Sequence, residues 1–150
     1  MSEYQGLVTR TLAFSLDAAL ITVTAVVVGA AAGLSLSVLS LPSGVESVLI
    51  AIGAVIGLLW SAVYFVTFWS TTGQTPGNRV LGIRVCRATD RSVLRPTRAL
   101  ARLGALLLAA LPLLAGFLPI LFDDRRRGLH DMLAGTVVVG AGKDEPAPPA

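Results

Sequence analysis

The sequence predicts an all-α integral membrane protein with two transmembrane helices, a third apolar helical segment broken by proline, and a small cytoplasmic β element. Of its 150 residues, 54% are hydrophobic and only 14% are charged, against about a quarter charged in soluble domains. Two apolar runs, at 11–33 and 47–69, each exceed the roughly 20 residues that cross a bilayer. We expect a membrane domain over 1–141 and a disordered tail over 142–150, because that tail is rich in proline, alanine and charge.

The first predicted span contains one charged residue, Asp17, seven residues after Arg10. Seven residues are nearly two helical turns, so both side chains lie on one face, about 10 Å apart along the axis. A carboxylate at that depth costs about 2.5 kcal/mol or more. Asp17 must therefore face protein or water, be protonated, or pair with a cation. Two roles stay open: a step in an ion or proton pathway, or a structural acid that is hydrogen-bonded or neutralised by an arginine.

The second predicted span contains no charge, and Trp60, Tyr64 and Phe68 recur on one of its faces. Aromatic residues at a span's end are typical of the membrane interface. We consider Tyr64 as a residue that lines a polar interior together with Asp17.

The distribution of arginine predicts the orientation. The loop between the two spans has no lysine or arginine, whereas 71–98 carries six arginines and one acid, Asp90. Because positive loops stay cytoplasmic, we expect the N-terminus and the 71–98 loop in the cytoplasm of a multi-pass protein of the cell membrane. This orientation accounts for the net charge of +3 without nucleic acid.

The third apolar segment, about 99–122, conflicts with this rule. It contains Pro112, and the triplet Arg125, Arg126 and Arg127 follows it directly. Either the segment folds back at Pro112 and returns to the cytoplasmic side, or it crosses the membrane and places the arginine triplet outside, against its preference for the cytoplasm. The charge bias near membrane ends favours the same-side alternative.

Short β-prone runs lie at 80–85 and 136–139, and a turn at 88–92 allows 93–94 to return as a strand. We expect a small sheet against the membrane surface. The glycine- and proline-containing run 73–77 predicts a tight turn where the second helix leaves the membrane.

No catalytic constellation is present in the sequence. Residues 73–77 lack the rest of a phosphate-binding loop, no nucleophile–base pair stands out, and Cys86 is the one cysteine. The single histidine, His130, cannot make a multi-histidine metal site, so we expect neither enzyme activity nor a metal or cofactor. Asp131 either orients His130 for proton transfer or caps a helix and pairs with arginine.

These residues together resemble the RDD family, named for one arginine and two aspartates. Arg10 and Asp17 look like its arginine and first aspartate. The run 73–85 is similar to the family's segment after the second span, and 127–138 to its C-terminal segment, with Asp131 as the second aspartate.

The resemblance implies a set of motif residues beyond that trio: Gly73, Gln74, Thr75, Gly77, Arg79, Arg84 and His130. There is one departure. The family often has lysine after the second glycine of the turn, where this chain has Asn78, and Arg79 is then the neighbouring positive charge.

The resemblance implies one function, and the residues leave a second open. Exchange of monovalent cations for protons has been suggested for some family members; Asp17 would bind the ion, with Arg10 and Asp131 controlling access. So few spans imply a homo-oligomer in the lipid bilayer. In the alternative, the chain is a non-transporting scaffold whose basic loop binds a protein or anionic lipid, and Arg10, Asp17 and Asp131 form a structural ion-pair network.

Overall fold

The computed structural model describes residues 4–39, 42–111 and 115–141. The elements in these ranges are α1 (Leu7–Val38), α2 (Ser43–Thr71), α3 (Pro76–Val80), β1 (Ile83–Arg87), α4 (Pro96–Ala110), a 3₁₀ helix (Ala115–Leu121), α5 (Leu129–Ala134) and β2 (Thr136–Gly140). The predicted disordered tail lies outside the described residues. The two long helices are antiparallel, and the shorter elements gather at the end where α1 begins and α2 ends.

Both predicted spans are helices, α1 with 32 residues and α2 with 29. Their most apolar windows have mean hydropathies of 2.2 and 2.3 and are 0% and 6% buried within the chain. An apolar helix that its own chain leaves uncovered needs lipid or another protein to cover it, so these helices fit a membrane protein. Each helix runs a few residues past both ends of its predicted span, and the N-terminal limits are Gly6 and Pro42, whose ψ angles of 175° and 142° are not helical.

The third apolar segment is divided into α4 and the 3₁₀ helix, which packs back onto it. With 15 residues, α4 is about 22 Å long, short of the roughly 30 Å hydrocarbon core. A Cβ added at Gly116 would lie 2.7 Å from Cα of Ala109, so the chain has reversed. Arg126 then lies beside Gly6 at the start of α1. This geometry agrees with the same-side alternative, although Pro112, the predicted reversal point, lies outside the described residues.

The expected sheet is present, and its two strands are far apart in sequence. β1 and β2 pair antiparallel, with Val85 opposite Val138. The first strand begins at Ile83, so placing it at residue 80 was wrong. Residues 76–80 are helical because Thr75 caps that turn by accepting a hydrogen bond from the Asn78 amide at 3.2 Å, with a proline in the first turn.

The predicted return strand at 93–94 was also wrong. The turn after β1 closes when the Arg87 amide donates to the Ser92 carbonyl at 2.9 Å, and β2 takes the place beside β1. Val93 and Leu94 instead lie in the hydrophobic core, 4% and 1% exposed. The Leu94 amide donates to the Trp69 carbonyl at 3.3 Å, which joins this loop to the end of α2.

Candidate functional site

Asp17 is buried and is held by neutral donors. Its side chain is 2% exposed. The carboxylate accepts hydrogen bonds from the Tyr64 hydroxyl at 2.8 Å, the Gly77 amide at 2.8 Å and the Thr75 hydroxyl. The predicted association of Tyr64 with Asp17 is therefore a direct hydrogen bond, although Tyr64 is not among the residues that line the cavity beside Asp17. Arg10 contacts a different carboxylate, so Asp17 is outside the ion-pair network that the described side chains form.

The turn after α2 is shaped to approach Asp17. Thr75 and Gly77 bring their donors to the carboxylate at the start of α3. A Cβ at Gly77 would clash with the Ala13 carbonyl oxygen and lie 2.9 Å from Cγ of Asp17. Glycine is therefore required here for close approach rather than for an unusual backbone angle.

A second buried acid, Asp131, is at the centre of a charge cluster. It is fully buried and forms ion pairs with Arg10 of α1 and Arg102 of α4. It also accepts hydrogen bonds from the Gly128 amide and the Thr136 hydroxyl, each at 3.1 Å. Asp131 thus caps its own helix, α5, and links it to α1 and α4.

Arg102 is a residue of the charge cluster that the sequence analysis did not identify. Its side chain is 5% exposed, and its guanidinium carbon lies 5.1 Å from the centre of the Trp69 ring. The available signal was an arginine on the apolar face of α4, between the buried Ala99 and Ala105. A charge in that position needs a buried partner, which is Asp131.

His130 lies beside this cluster but is not oriented by Asp131. Its Nε2 is 3.6 Å from Oδ2 of Asp131, longer than a hydrogen bond. Of the two alternatives for Asp131, the structure therefore has the helix cap with arginine pairing. His130 packs instead against Phe117, with ring centres 5.1 Å apart.

Burial and the neighbouring arginines shift the pKa values of Asp131 and His130. Burial by itself raises the pKa of Asp131, but the positive charges of Arg102 and Arg10 outweigh burial and hold the pKa well below its usual value. Burial, followed by repulsion from Arg102, lowers the pKa of His130 to about 4. At neutral pH Asp131 is therefore a carboxylate and His130 a neutral imidazole.

A cavity of about 810 Å³ lies between α1, α4 and the 3₁₀ helix and extends from Asp17 to the two arginines that pair with Asp131. Asp17, Arg10, Arg102 and His130 all line it, and most of the remaining lining is apolar. The predicted shared face of Arg10 and Asp17 is confirmed, since both border this space.

The remaining motif residues have structural contacts. Gly73 has φ of +70°, and a Cβ there would lie 2.6 Å from the Val85 carbonyl oxygen; only glycine adopts this backbone readily. The Gln74 side-chain amide donates to the Ile83 carbonyl at 2.9 Å. Arg84 is buried, 6% exposed.

Asn78 and Arg79 face different surroundings. Asn78 is 8% exposed and lines the cavity, whereas Arg79 is exposed. Arg79 therefore does not supply the charge that a lysine at position 78 would bring. Among the described residues, no group of three His, Cys, Asp or Glu side chains is placed to hold a metal ion.

The model of the RDD family matches residues 4–135. An uncharacterized protein of Rickettsia prowazekii (strain Madrid E) is 37% identical over 76 residues, which are 51% of this chain and 42% of that protein. The chain thus spans less than half the length of this relative. No solved structure matches the chain.

Proposed function

The chain belongs to the RDD family, and we propose that it exchanges a monovalent cation for a proton at Asp17, as a homo-oligomer in the cell membrane. The observation that carries this proposal is the surroundings of Asp17. It is a buried carboxylate within a candidate span, borders a cavity, and is held by hydroxyl and amide groups rather than by arginine.

The chemistry of these neighbours suits exchange. The hydroxyls of Tyr64 and Thr75 donate to the carboxylate now, and each also has oxygen lone pairs that can coordinate a cation once the hydroxyl rotates. Na⁺, K⁺ and Li⁺ are hard cations, for which carboxylate and hydroxyl oxygens are suitable ligands. A proton and a cation would occupy the same carboxylate oxygens, so binding of one excludes the other.

Access to Asp17 would run through the cavity. In this proposal, Arg10 and Asp131 control entry from the cytoplasm. The ion pair between these residues connects α1 to α5, so a shift of α1 relative to α5 would change the width of the entry.

We place the N-terminus and the 71–98 loop on the cytoplasmic side. The start of α1, the 71–98 loop and the arginine triplet lie at one end of the long helices, which supports a single positive side. In this proposal the partners are lipid, protons, monovalent cations and further copies of the chain, with no nucleic acid, no cofactor and no enzymatic reaction.

A homo-oligomer is proposed because the described residues contain two helices long enough to span a bilayer. Two helices cannot enclose a pathway alone, and transporters place substrate sites between repeated helix bundles. Apolar side chains on the two helices, such as Val26, Val27 and Leu58, are 63–73% exposed, which leaves surface for lipid and for a neighbouring copy.

The test is ion-dependent proton movement in everted vesicles, with wild type beside Asp17→Asn at matched expression. We expect Na⁺ or K⁺ addition to collapse an imposed proton gradient with wild type and not with Asp17→Asn. The matched control is Glu46→Gln, an exposed acid in the first turn of α2, about 27 Å along the helix from Tyr64. Retained exchange in a well-folded Asp17→Asn protein would refute the mechanism.

A second variant tests the contribution of the Tyr64 hydroxyl separately from that of the Asp17 carboxylate. Tyr64→Phe removes one oxygen and keeps Asp17. We expect exchange to persist with a higher apparent KM for the cation, because a ligand is lost while the proton carrier stays. An unchanged KM would show that the Tyr64 hydroxyl is not a ligand of the cation.

A scaffold function is the second candidate, and the distribution of arginines favours it. Arg79 and Arg95 are exposed, which leaves a basic surface for a protein or an anionic headgroup. Under this alternative, Asp17→Asn lowers membrane yield and neither protein moves protons in response to ions.

A further inference from the structure

Arg10 lines the cavity and has one donor that is not used. Its Nη1 pairs with Asp131 and its Nε donates to the Gln5 carbonyl at 3.1 Å. Its Nη2 is buried and has no hydrogen-bond partner among the described residues. The side chain is 10% exposed and lines the cavity. A buried charged donor without a partner is costly, so this position favours an acceptor.

The surrounding cluster has an excess of positive charge. Arg10 and Arg102 share one carboxylate, Asp131. Nε of Arg102 and Nδ1 of His130 are likewise buried without a partner among the described residues. Asp17 also lines the cavity, but it lies about 10 Å from Arg10 along α1 and its hydrogen bonds come from the neutral groups of Tyr64, Thr75 and Gly77 rather than from an arginine. The end of the cavity beside Arg10 and Arg102 therefore favours an anion, whereas the cation of the proposed exchange binds at Asp17.

The rest of the cavity suits a hydrocarbon chain. Its walls include Phe14, Leu106 and Phe117, and its volume of about 810 Å³ lies within the roughly 300–1,000 Å³ of small-molecule sites. Phe14 and Leu118 both line the cavity and are 46% and 55% exposed. The cavity thus opens beside the apolar surface of α1 rather than into a polar groove.

We propose that this cavity binds an anionic membrane lipid, with one phosphate or carboxylate oxygen accepting a hydrogen bond from the guanidinium of Arg10 and one acyl chain against Phe14, Leu106 and Phe117. Arg10 lies in the first turn of α1, at the level where headgroups meet the hydrocarbon core. Phe14 lies about 6 Å deeper along the helix, in the direction that an acyl chain takes. A lipid reaches this opening by moving within the membrane, whereas a water-soluble anion has to cross the apolar rim.

Lipid binding to the purified full-length protein in detergent tests this proposal, without any ion gradient, so its outcome is independent of exchange at Asp17. Native mass spectrometry would compare dioleoyl phosphatidylglycerol with dioleoyl phosphatidylcholine, which has the same chains and a zwitterionic head. We expect retention of phosphatidylglycerol at about tenfold lower lipid concentration. Inorganic phosphate added in excess should not displace it.

Two pairs of variants locate the site. Leu106→Trp fills the cavity without touching the charges, and Leu108→Trp is its control on the exposed side of the same helix. We expect Leu106→Trp to weaken phosphatidylglycerol binding about tenfold and Leu108→Trp to leave it unchanged. Arg10→Lys keeps one ion pair but removes the second nitrogen, so it should abolish the preference for phosphatidylglycerol over phosphatidylcholine.

Three results would overturn the proposal. Equal retention of both lipids would show that the anionic headgroup is not recognised. Displacement by inorganic phosphate would show that the ligand is a soluble anion rather than a lipid. Equal binding by the two tryptophan variants, with circular dichroism showing that both are folded, would place the lipid outside the cavity.

Discussion

Asp131→Asn should destabilise the protein strongly, because it removes the single carboxylate shared by two buried arginines. Asp131 is fully buried, and the side chains of Arg102 and Arg10 are 5% and 10% exposed. Removing one partner of a buried ion pair costs about 3–5 kcal/mol. Asparagine keeps the size and one acceptor but also directs an amide at either a guanidinium or the Gly128 amide. We therefore expect a loss of at least about 3 kcal/mol, out of a typical total of 5–15 kcal/mol.

Thermal and denaturant unfolding in detergent, followed by circular dichroism, would measure this loss. Asp124→Asn is the matched control, since Asp124 is exposed and seven residues away, and surface substitutions cost about 0.5 kcal/mol or less. Adding Arg102→Met should restore part of the stability lost in Asp131→Asn, because it removes one unbalanced charge. Equal melting of Asp131→Asn and Asp124→Asn, or additive effects in the double variant, would refute the reasoning.

Three further predictions concern the turn and the histidine. Gly77→Ala should destabilise the protein by about 1–3 kcal/mol, because the added Cβ meets the α1 backbone and Asp17. The control is Gly53→Ala, where a Cβ has open space and which should be neutral or stabilising by up to about 1 kcal/mol. Similar melting temperatures of the two variants would contradict the close approach at Gly77. Thr75→Val should cost about 1–2 kcal/mol through loss of the helix cap and of a donor to Asp17, and an unchanged unfolding midpoint would exclude that contact. His130 stays neutral when folded, with a pKa of about 4 against an ordinary 6.5. The unfolded chain therefore takes up the proton first, and stability falls as the pH drops from about 6.5 towards 4, by at most about 3 kcal/mol. His130→Gln should reduce the dependence of the free energy of unfolding on pH, measured from unfolding curves between pH 7 and 4.5. An unaltered pH dependence would show that another group is responsible for it.

Much of the architecture could be predicted from the sequence because its signals are local. The apolar lengths of 11–33 and 47–69 indicated α1 and α2, and the β-branched run 136–139 indicated β2. The arginine distribution placed the triplet on the side of the N-terminus, which the position of Arg126 beside Gly6 supports. The errors were equally local: residues 76–80 are helical because of a cap at Thr75, a signal that competes with the β propensity of Val80.

The candidate site was predicted only in part. Asp17 stood out because a charged residue within an apolar segment is costly and therefore informative, whereas Arg10 and Asp131 were singled out by the resemblance to the RDD family. Their pairing was not predictable. Arg10 lies nearest Asp17 in sequence, yet it binds Asp131, which is 121 residues away.

The sequence by itself determined that the chain has two helices that fit a membrane, a basic end and an acid, Asp17, that cannot face lipid as a bare charge. The tertiary structure decided the partners: neutral donors for Asp17, and Arg10 with Arg102 for Asp131. The physical reason is that hydrophobicity and charge cost belong to each segment separately. Ion pairs and cavities arise from the packing of α1, α4 and α5, whose relative positions no local pattern specifies.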